Sequence, residues 1–322
     1  MIKFSTFLFF SILLFSCSDS SETSVQKAVN PSIESKALDE TSIVILGTTQ
    51  DAGSPQIGCV KECCTSLKGN EKRMVSALGI IEPNSNKNYL IDATPDIENQ
   101  INLLNQYSKS KNLPEGIFLT HAHIGHYTGL MYLGKEGANS QGMKVHVMSR
   151  MKKFLESNGP WNQLVENQNI QLNNLNTRDT VMLSAKLKII PFIVPHRDEY
   201  SETVGYKIIG PNRSALFIPD IDKWDKWNSN IVHEISMVDF AFIDGTFYDG
   251  AEINHRDISE IPHPFIIETM NELRNISQQE KNKVYFIHFN HTNPALNENS
   301  KAYLSILKNG FHVAKAKEVF PL

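Results

Sequence analysis

"THAHIGHYTGL", residues 120–130, places His121, His123 and His126 within six positions, directly after the apolar run "GIFLTH" (116–121). The run reads as a short strand emptying into a loop. Residues two apart in an extended segment point to the same side, so His121 and His123 can chelate one ion. His126 leaves the following turn at a different angle and suits a second ion. Zinc and iron are well held by imidazole and carboxylate, and a catalytic site keeps one position open for water. Three imidazoles at this spacing therefore predict a metal centre, where a lone histidine would be a structural or surface residue.

Upstream of this stretch, "SIVILG" (42–47), "ALGII" (77–81) and "NYLIDAT" (88–94) are short apolar strands, and Pro95 and Asp96 open a helix running to about Tyr107. Downstream come "KVHVMS" as a strand and "MKKFLESN" as a short helix. The runs "LKIIPFIVPH", "TVGYKIIG", "SALFIPD" and "DFAFIDG" follow, each finishing at or near a polar residue. Strand ends that present His196, Asp220 and Asp244 describe a sheet edge where distant side chains can meet. "HPFIIETMNELRN" has helical spacing, "KVYFIHF" is a strand, and "PALNENSKAYLSILKNG" reads as a helix stopped by Gly310. Strands and helices alternate without tandem repeats, and the expected class is an α/β sandwich.

The chain has 322 residues, 41% hydrophobic and 20% charged, with a net charge of −4, so no basic field points to nucleic acid. Its start, "MIKFSTFLFFSILLFSC", has Lys3, an apolar run too short to span a bilayer, then Cys17. This predicts export. Leu14-Phe15-Ser16-Cys17 resembles a lipoprotein box, with lipidation at Cys17; the alternative is a plain signal peptide. The expected division is a signal peptide over residues 1–16, a polar spacer over 17–40 tethering the protein to a membrane, and a folded domain over 41–322. Of the 4 cysteines, removing Cys17 leaves Cys59, Cys63 and Cys64, an odd number for an oxidising compartment. Three clustered thiolates suit a metal awaiting a fourth ligand; the alternative is one disulfide from Cys59 with a leftover thiol.

The histidine loop resembles the HxHxDH signature of the metallo-β-lactamase superfamily, which implies an αββα sandwich. The resemblance adds a later His, an Asp at a strand end and a final His, matching His196, Asp220 and His288. It implies one ion on His121, His123 and His196, a second on His126 and His288, and Asp220 bridging them. Within the superfamily, "GTTQDAGSPQIGC", "FIDGTFYDG", "IPHPF" and "HFNHTNPAL" resemble the PQQ synthesis protein B group, with a phosphonate-pathway cyclic phosphodiesterase as a more distant cousin. That cousin implies a structural zinc on Cys59, Cys63, Cys64 and His291, although the relatives usually carry CxCxxC where this chain has "CVKECC".

Gly125 departs from the signature, since it stands where the superfamily has an aspartate that binds the second ion. A firm first site and a weaker second one are expected, with Asp222 or Asp244 supporting the ligands from behind. Zinc is the expected metal, one or two active-site ions with iron or manganese as substitutes. The implied chemistry is metal-assisted hydrolysis of a small ester or phosphodiester, with Asp220 and His263 as catalytic residues, His263 as general acid and His255 as its competitor. An iron-dependent oxidative enzyme of the PQQ-synthesis type and a non-catalytic metal-binding lipoprotein are the alternatives. No Arg or Lys cluster adjoins the motif, so no phosphate-specific pocket is visible, with Arg197 and Lys207 as the nearest candidates; His146, His233 and His312 read as surface or packing residues, and Tyr206, Trp224, Trp227 and Phe247 as core.

Overall fold

The computed structural model describes Met1, residues 36–253 and residues 261–322. Cys17, most of the spacer and His255 lie outside the described residues. The fold below belongs to the compact unit Ser35–Leu322. No helix among the described residues is long and apolar enough to cross a membrane.

The described residues of this unit form two seven-stranded mixed sheets. The first contains β1 (Ser42–Gly47), β2 (Ala77–Glu82), β3 (Lys87–Ile91), β4 (Gly116–Phe118), β5 (Met143–Met148), β6 (Ile170–Leu175) and β14 (Val319–Pro321). Its order is β14-β1-β2-β3-β4-β5-β6. The second contains β7 (Val181–Met182), β8 (Lys188–Ile193), β9 (Val204–Ile209), β10 (Ser214–Ile218), β11 (Phe240–Asp244), β12 (Val284–Ile287) and β13 (His312–Val313), in the order β13-β12-β11-β10-β9-β8-β7.

Alternation along the strands explains the layering. Ile43 and Ile45 of β1 join the core between the sheets, with Leu78, Tyr206, Phe217 and Phe242. Val44 and Leu46 point the other way, into a core covered by helices Ile97–Tyr107, Ser149–Ser157 and Trp161–Glu166. In β10, Phe217 faces the first sheet while Leu216 and Ile218 enter a third core with helices Ile231–Ser236, Ile266–Glu272 and Lys301–Lys308. Strands buried on both faces carry unbroken apolar runs, which is why these segments read as strands without polar alternation. The result is the αββα sandwich the sequence predicts.

Some elements differ from the sequence reading. The last helix is shorter than "PALNENSKAYLSILKNG": Pro294–Leu296 is a separate 3₁₀ turn, and Ser300 accepts from the Tyr303 amide to start the helix at Lys301. Strands β6, β7, β13 and β14 are not evident from the sequence, because two to six residues at a sheet flank carry too little apolar pattern. The sheet direction matters most for the site. Strands β1, β3 and β4 run parallel in the first sheet, and β8, β10, β11 and β12 in the second, judged from the pairing of each with its neighbours. The residues following these strands, including His121, His196, Asp220 and His288, meet at one edge of the sandwich.

Candidate metal centre

Each ligand candidate leaves a strand end. His121 and His123 follow β4, His126 lies in the single helical turn Ile124–Tyr127, His196 follows β8, Asp220 follows β10 and His288 follows β12. Asp220 sits in the middle. Its Oδ2 lies 3.3 Å from His121 Nε2, 3.6 Å from His126 Nε2 and 3.5 Å from His288 Nε2, and its Oδ1 lies 3.2 Å from His196 Nε2. One ligand atom from each of His121, His123, His196 and Asp220 falls within 4.8 Å of all the others. A second such group joins His126 and His288 to Asp51. The sequence-predicted ligands thus come together as two neighbouring sets joined by Asp220.

Hydrogen bonds fix which nitrogen each imidazole offers. Asp92 Oδ2 accepts from His126 Nδ1 at 2.7 Å, and Asp92 also takes the Thr120 amide and hydroxyl. With its proton given to Asp92, the Thr120 oxygen is left to accept from His121 Nδ1 at 3.0 Å, and Thr246 Oγ1 meets His288 Nδ1 at 3.0 Å. Asp222 backs His196 Nδ1 at 3.2 Å. The Nδ1 atoms of His121, His126, His196 and His288 are engaged from behind, which leaves their Nε2 atoms facing the centre, the arrangement metal-bound histidines adopt.

That convergence fits a cation. His126 Nε2 and His288 Nε2 lie 3.3 Å apart, and two nitrogens bound at about 2.0–2.1 Å to a tetrahedral zinc are separated by about 3.3–3.4 Å. His121 Nε2, Asp220 Oδ1 and Asp51 Oδ1 are sealed from solvent without a hydrogen bond of acceptable geometry. Burial opposes charge on His126, but the Asp92, Asp220 and Asp51 carboxylates outweigh it and push its pKa up to about 10. Burial holds His121 well below the ordinary histidine value and His288 below it, and lowers His123 to about 4. Asp220 stays ionised: burial resists, but His196, His288 and His263 hold its carboxyl well below the usual range. The neutral imidazoles of His121, His123 and His288 beside a buried carboxylate suit a divalent ion, which would displace the proton that the surrounding carboxylates hold on His126.

A Beta-lactamase superfamily domain matches residues 87–289. The chain belongs to the beta-lactamase superfamily. Among curated proteins, it is 24% identical over 300 residues to the coenzyme PQQ synthesis protein B of Acinetobacter baumannii strain ACICU, covering 84% of this chain and 97% of that protein. A zinc-bound PqqB from Methylobacterium extorquens shares the fold with a TM-score of 0.74 at 20% identity, over 87% of this chain and all of that one (100%). A diphosphatase from the PhnP family superposes at a TM-score of 0.59 with 19% identity, covering 88% and 99%. Human tRNase Z, short form, gives 0.53 at 13% identity, covering 87% and 100%.

His263 is buried beside the ligands, with Nδ1 2.8 Å from Asp244 Oδ2 and 3.2 Å from Asp220 Oδ1. Burial works against its charge, but Asp244 and Asp220 prevail and raise its pKa to about 9. Asp222 thus supports the ligand His196 from behind, and Asp244 supports His263. Arg197 Nη2 lies 3.3 Å from His123 Nε2 at the exposed mouth, whereas Lys207 pairs with Glu234 at 3.3 Å. Phe247, expected in the core, is half-buried with its ring edge-on to His263 at 6.0 Å, and thus borders the centre. Tyr206 is fully buried, and Trp224 and Trp227 pack on the third core. His146 and His312 stack on Phe118 and Tyr285, and His233 is exposed.

The thiols form a separate cluster: Cys59, Cys63, Cys64 and His291 each offer a ligand atom within 4.8 Å of the others. All three thiols are free, with no disulfide among them. Burial, then the neighbouring Cys64, raises Cys63 to about 11, and a bound cation would relieve that crowding. The sequence reading did not single out Asp51. It stands in "TTQDAGSP", in a turn within the loop that follows β1, where no local pattern sets it apart from an ordinary turn aspartate.

Proposed function

We propose that the protein is a zinc-dependent hydrolase of a small ester or phosphodiester. The observation that carries this reading is the pair of converging imidazole sets centred on Asp220, with the Nδ1 atoms of His121, His126, His196 and His288 held from behind. When bound, the ions supply a water ionised near neutral pH and polarise the oxygen of a phosphoryl or acyl group.

The chain's residues do the rest. His121, His123 and His196 hold one ion, His126 and His288 the other, and Asp220 lies between them. The Nδ1 of His263 is committed to Asp244, so its Nε2 carries the proton that passes to the leaving-group oxygen. Arg197, beside His123, gives the mouth a positive group that favours an anionic substrate. Burial of His121, His126 and His288 keeps bulk water from the donor atoms. The cysteine cluster with His291 holds a structural zinc that braces the loop after β1. The leader places the domain outside the cytoplasm on a lipid anchor at Cys17; this is supported by the sequence alone.

Assay of the zinc-loaded protein against chromogenic phosphodiesters and esters tests the reading. Turnover should be lost in His123→Ala and reduced by about 10²–10⁴-fold in His263→Asn with KM little changed. A zinc-loaded protein inert to the whole panel would refute it. A second reading, an iron-dependent oxidative enzyme, is favoured by the near full-length likeness to PQQ synthesis protein B. Iron retained through gentle purification, with oxygen consumption, would select it.

A further inference from the structure

We propose that Asp51 is a ligand of the second ion, delivering from the loop after β1 the carboxylate that position 125 cannot supply. This rests on the reading of the histidine cluster as a metal centre. Three observations converge on it.

The first is volume. A Cβ placed on Gly125 would lie 2.3 Å from Asp51 Oδ1 and 2.5 Å from Asp51 Cα. The aspartate therefore fills the space that a side chain at 125 would enter. Glycine at 125 and aspartate at 51 are a complementary pair, and the two residues cannot both carry bulk there without the loop moving.

The second is the state of the carboxylate. Asp51 Oδ1 lies 3.7 Å from His126 Nε2 and is sealed from solvent without a hydrogen-bond partner, and a carboxylate oxygen of Asp51 falls within 4.8 Å of the His288 ligand atom. Asp51 shares this state with the central Asp220, whereas the surrounding carboxylates have hydrogen-bonding work: Asp92 with Thr120 and His126, Asp222 with His196, Asp244 with His263 and the Ile221 and Thr246 amides. A buried carboxylate oxygen without a donor is costly. Coordination would satisfy it.

The third is rigidity. The Gln50 amide donates to Phe289 O, and the Phe289 amide donates to Thr48 O, both at 2.8 Å, so the segment holding Asp51 is paired with the residue after His288. The Gly53 amide donates to Gln50 O at 2.8 Å and closes a turn with Asp51 at its first corner. Gly53 itself has φ +72, a conformation glycine adopts without strain. Two neighbouring strand ends thus deliver His288 and Asp51 in fixed register. With His126, His288, Asp220 and Asp51, the second ion has two imidazoles and two carboxylates, whose charges balance a divalent cation and favour zinc, manganese or iron over softer metals.

The test is zinc titration of the full chain after chelator treatment, by calorimetry, with cobalt(II) absorption as a second readout, in the parent, Asp51→Ala and His126→Ala. Asp51→Ala should weaken one ion by about 10–100-fold or more, alter the cobalt spectrum, and leave the remaining ions unchanged. Because Asp51 makes no side-chain hydrogen bond among the described residues, the metal-free variant should keep the parent's circular dichroism. Unchanged affinity and spectrum in Asp51→Ala, with His126→Ala losing an ion, would overturn the assignment of Asp51 alone. A parent with no zinc sensitive to His126→Ala would overturn the metal-centre reading beneath it.

Discussion

At the scale of single residues, the missing aspartate of the HxHxDH pattern is a change of address for a carboxylate, and the steric part of that statement can be tested without metal. Gly125→Ala places a methyl 2.3 Å from a buried carboxylate oxygen and 2.5 Å from backbone, so the metal-free protein should lose about 1–3 kcal/mol in denaturant unfolding. Gly125→Asp alone suffers the same clash and would not simply restore the superfamily pattern. Asp92 offers a second residue-scale test. It has φ +68, tolerated by aspartate, and directs its carboxylate at His126 Nδ1 from outside the ligand set. Asp92→Asn should weaken the ion on His126 by about 10–100-fold in zinc competition with a fluorescent chelator. His123 and His126 were legible from spacing alone. Asp51 was not, because nothing local marks an aspartate in a turn as facing a histidine 75 positions later.

At the scale of elements, the strands with both faces covered announced themselves as apolar runs, and their C-terminal ends announced the ligands. The flanking strands did not, since β7 and β13 have two residues each and owe their extended form to neighbours. The β4–β5 pair illustrates a histidine that packs. His146 of β5 stacks on Phe118 of β4, ring centroids 4.3 Å apart and nearly parallel at 6°. Burial first, then the nearby Lys144 charge, lower its pKa from 6.5 to about 4. The folded state therefore resists protonation that the unfolded chain accepts. Stability from this group is complete above pH 6.5 and is lost as the pH falls from about 6.5 toward 4. His146→Phe keeps the stacking and removes the proton site, so its unfolding temperature should decline less than the parent's across that window. Equal decline in both would place the acid sensitivity elsewhere.

At the scale of the whole molecule, two sheets bring together residues from positions 51 to 288, so the centre can close only when both halves of the sandwich are in place. Ion binding should then stabilise the entire fold. A ligand present at 100 times its dissociation constant contributes about 2.7 kcal/mol by mass action. Chelation should lower the unfolding temperature by several degrees, and restored zinc should recover it; a curve indifferent to chelator would mean that metal and fold are uncoupled. The sandwich and the cluster around Asp220 were readable in advance because the strand ends carried distinctive residues. Which carboxylate backs which imidazole was not readable, because that depends on the sheet from which each strand end emerges.

The most direct measurement is anomalous diffraction at the zinc edge on crystals of the zinc-loaded protein. The account predicts one peak at about 2.0–2.2 Å from His121, His123 and His196 nitrogens and an Asp220 oxygen, with a second between His126, His288 and Asp51. A map with strong zinc at the cysteine cluster and none among these histidines would contradict it.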